Sequence, residues 1–572
     1  MKTKKIIATT LAAISALCCF GCAQEGTPPA APDYSGEEYQ ALQYDFYGYS
    51  GPNDGTYKID GVGYTTGQDF RTVERFKEYK DAGMTIWLPQ SSARMGVSIN
   101  HADKPLDEWE EETWTLRENE WKNTKVFWDN AYEAGLDKII MTDVQIQQWS
   151  NVKYGKLIGE GEGYIFESEE KLDEYIEKHI SLYVDHPGFY GVMLADEPSY
   201  SAVVSYGQVY RSLKRVAAKL EKEIFVQTNL LPMREYGAGA YNLMPLLEWF
   251  DAEEDTVSEE EFYGLVGGVT ADETVSANER LEEILTAEID ANGGRAETTK
   301  AKYRKYLESF VDSMGSDYVQ FDDYPLRDGS VLRVYFPEMQ IAAEVAKERN
   351  IDYYMVTQSF ATTNNGAVLH RQVSEKGAEW LNNTLLAFGV SQISYYTYWA
   401  KQDNAASHFN EANGAFISRF GEKTDLYYTY QKLMAQNQAF APVKLNFRYL
   451  GSRFYTKKPT NFMTDSYMAW MDNDDTFVCI TDVSVNKECV LVTESYDEGQ
   501  GYYMYCVMNT VDTIHKGSKA YQTAVLTFKE GYTHAAVYRN GAFVGVEKLD
   551  GGKLTVKNAA GEAAYVIPLA ES

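Results

Sequence analysis

From Leu42 to Asn437 short apolar runs alternate with amphipathic stretches of helical period. Such alternation predicts an α/β fold with a parallel sheet. Strands are predicted at Tyr44–Tyr49, Met84–Pro89, Lys138–Asp143, Gly188–Glu197, Ile224–Leu230, Tyr318–Tyr324, Asp352–Phe360 and Ser391–Tyr398. Helices are predicted at Phe70–Ala82, Trp121–Ala134, Lys171–Val184, Ser205–Glu221, Lys300–Met314, Pro337–Arg349 and Glu375–Phe388. Eight such units predict a (β/α)8 TIM barrel over residues 39–440, with its site at the C-terminal ends of the strands. An open doubly wound sheet is the alternative, but no GxGxxG fingerprint follows an early strand. The regular spacing breaks once, at about residues 231–298, an acidic, Gly-punctuated stretch that predicts an inserted subdomain or lid. Beyond about Ala441 the helical period vanishes and short apolar strands crowd together, with turns such as Asn540-Gly541 and Asp550-Gly551. Residues 441–572 therefore predict an antiparallel β-sandwich domain.

The N-terminus has a different texture. Lys2, Lys4 and Lys5 precede a short apolar run, Ile6 to Leu17, and then Cys19-Phe20-Gly21-Cys22. A run this short does not span a bilayer comfortably, and its pattern is that of a secretory signal. A small residue directly before a Cys at its end resembles the bacterial lipobox. That resemblance implies a lipoprotein signal peptide over 1–22, lipidation at Cys22, and a membrane anchor on the extracellular face of a bacterial cell. Residues 23–38, rich in Pro, Gly and small polar side chains, predict a flexible tether.

Composition narrows the partners. The 84 acidic against 53 basic residues give a net charge of −31, which argues against nucleic acid or an anionic lipid surface as partner of the folded part. The 44 Tyr and 10 Trp suit a carbohydrate, whose rings offer apolar faces edged by hydroxyls. Cys479, Cys489 and Cys506 lie in strand-like runs without CxxC spacing and read as buried free thiols. No metal or cofactor motif is present, nor a GxSxG elbow that would point to an esterase or protease.

Polar side chains gather where the predicted strands end: Asp143; Asp196 and Glu197 before Pro198; Asn229; Asp322, Asp323 and Tyr324 before Pro325; Gln358; and Tyr396, Tyr398 and Trp399. In a barrel those ends converge on one pocket. Two carboxyl groups across a sugar-sized cleft are what glycoside hydrolysis requires, one to protonate the departing oxygen and one to attack or to activate water. Glu197, at the end of the apolar run Tyr190 to Ala195, is the expected acid. Asp322 is the expected partner, because Gln320 and Asp322 share strand parity while Val319 and Phe321 face the other way. Asp323 and Asp143 are alternatives for the same role. The remaining polar and aromatic residues of this set are expected to bind substrate.

The ordered set His186-Pro187-Gly188-Phe189-Tyr190-Gly191, Asp196-Glu197-Pro198, Asp322 to Pro325, Thr357 to Phe360 and Tyr395 to Tyr398 resembles bacterial barrel glycoside hydrolases near the clan of β-galactosidases and cellulases. The resemblance covers most of the chain after the signal. It implies that Glu197 is the acid/base and that the small C-terminal β-domain is an appended module. It also implies a nucleophilic Glu at the end of strand seven, where this chain has Gln358. An amide can bond a hydroxyl but cannot attack carbon. The residues therefore admit two readings, a glycosidase acting on an extracellular poly- or oligosaccharide, and a non-catalytic glycan-binding surface lipoprotein.

Overall fold

The computed structural model describes residues 28–571 except 60–61, 90–92, 99–110, 162, 234–290, 292–293, 333, 365–366, 401, 404–414, 458–470, 474–475, 487–488 and 515–520. Cys22 and the signal lie outside the described residues, as does most of the insertion expected at 231–298.

The parallel strands are β1 (Asp45–Gly48), β2 (Ile139–Thr142), β3 (Phe189–Asp196), β4 (Phe225–Asn229), β5 (Tyr318–Asp323), β6 (Asp352–Gln358) and β7 (Gln392–Tyr396). They form a four-stranded sheet in the order β1-β7-β6-β5 and a three-stranded sheet in the order β2-β3-β4, with every pairing parallel. Backbone bonds run between the two sheets on both sides. On one side Leu230 N donates to Gln320 O at 3.0 Å. On the other, Thr85 N and Ile86 N donate to Phe46 O, Trp87 N donates to Lys138 O, and Ile140 N donates to Trp87 O. The segment 84–88 is thus the expected second strand, but it makes a single parallel bridge, Trp87 with Ile139, instead of a ladder. The reason is local. Thr85 Oγ1 takes the Phe46 N–H at 2.9 Å, so a side chain stands in for a ladder carbonyl.

Strand periodicity sorts the apolar side chains into two layers. Tyr47, Tyr49, Ile86, Leu88, Ile140, Met193 and Val356 cluster on the inner face. Their neighbours Phe46, Trp87, Ile139, Met141, Val192, Leu194 and Met355 join the larger core under the helices. Helices start where side chains can cap them: Thr72 accepts from Arg75 N, Ser168 from Lys171 N and Ser374 from Gly377 N. Two end in left-handed residues, Gly315 and Asn350.

Several elements differ from the sequence expectation. The third-strand helix runs Glu111–Glu133, starting well before Trp121. A short helix, Val144–Ser150, follows β2 with Asp143 as its cap. A hairpin, Thr56–Ile59 with Val62–Thr65, follows β1. The helix Asp425–Lys444 crosses the boundary expected at 440. Within the stretch expected to be a tether, Tyr34 is buried and its hydroxyl donates to Asp497 Oδ2 at 2.8 Å.

The C-terminal region holds a six-stranded and a three-stranded sheet, both antiparallel. Both faces of the larger sheet are buried. Val490, Val492, Tyr505, Val507, Ala535, Val537, Ala564 and Val566 pack with the smaller sheet. The alternate residues Leu491, Met504, Cys506, Met508, Ala536, Tyr538, Ala563, Tyr565 and Ile567 join the core of the parallel domain. The two regions are also tied by the Arg371–Asp512 ion pair and by Trp380 Nε1 donating to Thr510 O at 3.2 Å. Cys479, Cys489 and Cys506 are buried. Among the described residues no helix is long and apolar enough to cross a membrane.

Candidate active site

Because all the strands are parallel, the chain leaves each of them at the same end. The polar residues expected at that end separate into those that face inward and those that do not.

β3 delivers Asp196 and Glu197. Asp196 pairs in register with Asn229 of β4, whose Nδ2 donates to Asp196 Oδ1 at 2.9 Å. The Asp196 side chain is open to solvent on one side, yet burial raises its carboxyl from the ordinary Asp range to about 6, helped by the neighbouring Glu197 charge and opposed by the Asn229 bond. Its side chain reaches the surface at the C-terminal end of the sheet, beside the half-buried Glu197. Glu197 is half-buried and has φ +46°, while its N–H donates to Asn229 O at 2.9 Å. A left-handed backbone is uncommon for a residue with a side chain, and a residue before proline favours an extended one. Strain of this kind costs about 1–3 kcal/mol and concentrates at functional positions.

β5 delivers Asp322, two strands away. Its parity partner Gln320 donates from Nε2 to Tyr47 Oη at 2.7 Å on the inner face, whereas Val319 and Phe321 lie in the helix-side core. Asp322 is 3% exposed. Burial holds its carboxyl well above the usual carboxylate range, the Glu197 and Asp196 charges push it further, and a hydrogen bond with the Tyr324 hydroxyl opposes them. The buried atoms Asp322 Oδ1 and Asn229 Oδ1 have no hydrogen-bond partner among the described residues. Buried polar atoms are rarely left so in folded proteins.

Three aromatic rings stand beside the carboxyl groups. Tyr396, half-buried at the end of β7, packs against Tyr49 at 6.0 Å and Tyr324 at 5.6 Å between centroids. Tyr49 accepts from Gln227 Nε2 at 3.3 Å, and burial raises its hydroxyl, with the Asp196 and Asp322 charges adding to the shift.

The structure places the other expected site residues elsewhere. Asp143 is fully buried, bound to the equally buried Arg117 at 2.5 Å, to the Tyr183 hydroxyl at 3.2 Å and to Gln145 N at 3.0 Å. Asp323 faces the helix layer, where it hydrogen-bonds the buried carboxyl of Glu338, itself raised by burial and by the Asp323 charge. Tyr398 packs on Tyr79 at 4.6 Å and Trp399 on Phe70 at 4.8 Å, both within the helix-side core. His186 joins elements, its Nδ1 accepting from Gly188 N at 3.1 Å and its Nε2 lying 3.2 Å from Asp129 Oδ1.

Gln358 is fully buried and engaged with the backbone rather than facing a substrate. Its Oε1 accepts from Leu326 N at 2.9 Å, while Nε2 donates to Phe360 O at 3.1 Å and Arg371 O at 3.2 Å. The amide suits this role because it offers an acceptor and two donors. Gln358→Glu would set a carboxylate against two carbonyls. It is expected to cost about 1–3 kcal/mol in denaturant unfolding and to bring no gain in turnover. An active variant of unchanged stability would contradict this reading.

Tyr49 and Gln227 were not singled out from the sequence, and Gln320 only as the strand-parity partner of Asp322. The signal for Tyr49 was present, since Tyr47 and Tyr49 share parity on a strand that ends at the site. The two glutamines interrupt apolar strands at inward positions, which is also a readable sign.

Chemically, the site offers a buried carboxyl raised above its ordinary range, further carboxyl groups on a strand two away, and phenol rings beside them. No family model matches the chain, and no curated protein matches it in sequence. Distant similarity to solved structures extends over most of its length. A glycoside hydrolase family 5 structure from Bacteroides vulgatus is 10% identical with a TM-score of 0.44, covering 93% of this chain and 89% of that one. An α-amylase from Anoxybacillus is 10% identical with a TM-score of 0.42, covering 93% of this chain and 99% of that one. A β-galactosidase from Bacillus circulans sp. alkalophilus is 9% identical with a TM-score of 0.40, covering 93% of this chain and 100% of that one. These neighbours are glycoside hydrolases, but likeness at such scores carries no argument about function, which rests on the residues of the cleft.

Proposed function

We propose that the chain is a glycoside hydrolase that cleaves an extracellular poly- or oligosaccharide, built on a closed (β/α)8 barrel and held at the bacterial surface through a lipid on Cys22. Closure is supported by the backbone bonds on both sides of the two parallel sheets, and the anchor by the lipobox-like Gly21-Cys22.

One observation carries the catalytic reading. Carboxyl groups at the ends of β3 and β5 lie close enough to interact electrostatically, and burial together with the Glu197 and Asp196 charges raises the Asp322 carboxyl well above the ordinary carboxylate range. A carboxyl group that stays neutral near pH 7 can donate to a departing glycosidic oxygen. The sequence points to Glu197 as the acid, but the raised Asp322 carboxyl favours Asp322 for that step. Glu197, half-exposed at the end of β3, is then the partner that takes a proton from water or meets the anomeric carbon. Because β4 lies between β3 and β5, we read the separation as the wider one, with room for water and inversion at the anomeric carbon. Tyr324 and Tyr396, both partly exposed, supply ring faces and hydroxyls for the sugar, with the buried Tyr49 packed behind Tyr396, and Asp196 supplies an acceptor.

The test is a panel of plant, fungal and host glycans incubated with the protein, read by new reducing ends and by calorimetry. Release from at least one glycan is the expected result. Tight binding of a glycan without any product would replace the hydrolase with a binding protein.

A further inference from the structure

The hairpin after β1 carries an aromatic cluster that the cleft does not use. Tyr57 and Tyr64 are cross-strand partners and stack at 5.7 Å with planes 19° apart. Phe420 sets its ring on Tyr57 edge-to-face at 5.9 Å. These are not core rings: Tyr64 is 46% exposed, Phe420 60%, and Val62, on the same hairpin face as Tyr64, 55%. Single exposed apolar residues are ordinary, but several aromatic ones grouped on one face call for a partner.

Topology says where this face lies. The hairpin leaves the C-terminal end of β1, past Tyr49. The segment that follows β7 and Tyr396 pairs with it, Gln402 against Lys58. β1 and β7 are neighbours in the sheet, so the cluster stands at the same end of the strands as Asp196, Glu197 and Asp322. Flat exposed rings without nearby buried carboxyl groups suit the apolar face of a sugar ring, which binds by stacking.

We propose that Tyr64 and Phe420, backed by Tyr57, form a stacking platform for a sugar unit of a glycan chain outside the cleft. The substrate would then be a polysaccharide rather than a disaccharide. This rests on the reading of the cleft as a glycosidase site.

The platform is tested in a Glu197→Gln background, so that the probe is not consumed. Mobility is compared in native gels containing barley β-glucan, konjac glucomannan or wheat arabinoxylan. At least one of them is expected to retard the Glu197→Gln chain. Adding Tyr64→Ala or Phe420→Ala should weaken that retention about 3- to 10-fold, and Tyr64→Phe should keep it. Both alanine changes are at exposed rings, and near-UV circular dichroism checks that the fold is kept. Retention unchanged by the alanines, or no retention by any of the three polymers, overturns the platform. Failure of the cleft reading looks different, because the chain with Glu197 intact would then release no reducing ends from any glycan.

Discussion

Replacing Glu197 by Gln is expected to lower turnover about 10²- to 10⁴-fold, the range for removing one member of a general acid–base pair. Size and shape are kept, and the N–H bond to Asn229 O is made by the backbone, so the melting temperature should change little. The left-handed φ of +46° at this position should persist, because the amide keeps the side-chain shape and the backbone bond to Asn229 O is unchanged. The experiment compares initial rates on any glycan that the wild type cleaves. Activity within a few-fold of wild type would remove Glu197 from the mechanism. A large loss with binding retained would separate its chemical role from substrate affinity.

The second large effect is expected at Asp322, and it has two parts with opposite signs. Asp322→Asn removes the carboxyl assigned to deliver the proton, so turnover should again fall by about 10²-fold or more. Stability should move the other way. An unfolded Asp ionises near pH 3.9, whereas burial and the Glu197 and Asp196 charges keep the folded Asp322 protonated well above that. Below about pH 4 both states hold the proton and the residue costs nothing. As pH rises through that value only the unfolded state sheds its proton, and native stability is lost until the folded group titrates too. The asparagine does not titrate and escapes this loss. Thermal melts should show the variant more stable than wild type at pH 7, with the gap closing toward about pH 4. A variant that is fully active, or one destabilised at pH 7, would place Asp322 among residues that serve only the fold.

The alternation of strands and helices, the change of texture near residue 441, and the inward parity of Asp322 were all readable in the sequence, because each is a periodicity imposed by backbone geometry. Other features depend on partners far away in the chain. Asp143 looked like a site residue until Arg117, on a helix 26 positions earlier, took its carboxylate. Asp323, one residue beyond Asp322, points to the helix layer and to Glu338, which only strand alternation combined with a later helix reveals. Gln358 read as a lost nucleophile, but its amide is occupied by Leu326, Phe360 and Arg371 backbone groups, a bonding pattern with no linear signature. The hairpin Thr56–Ile59 with Val62–Thr65 escaped notice because its second strand is exposed on both faces and so lacks hydrophobic alternation. The site itself was half apparent: the carboxyl groups could be located, but which of them keeps a proton is decided by burial and by mutual charge.

The most direct measurement of the central claim is a crystal structure of the Asp322→Asn variant soaked with an oligosaccharide that the wild type cleaves. The glycosidic bond is expected in the cleft between the side chains of residues 197 and 322, with the departing oxygen toward residue 322 and a sugar ring against Tyr396. A glycan bound well away from both side chains, with the wild-type chain still active on it, would contradict the assignment of this cleft as the catalytic centre.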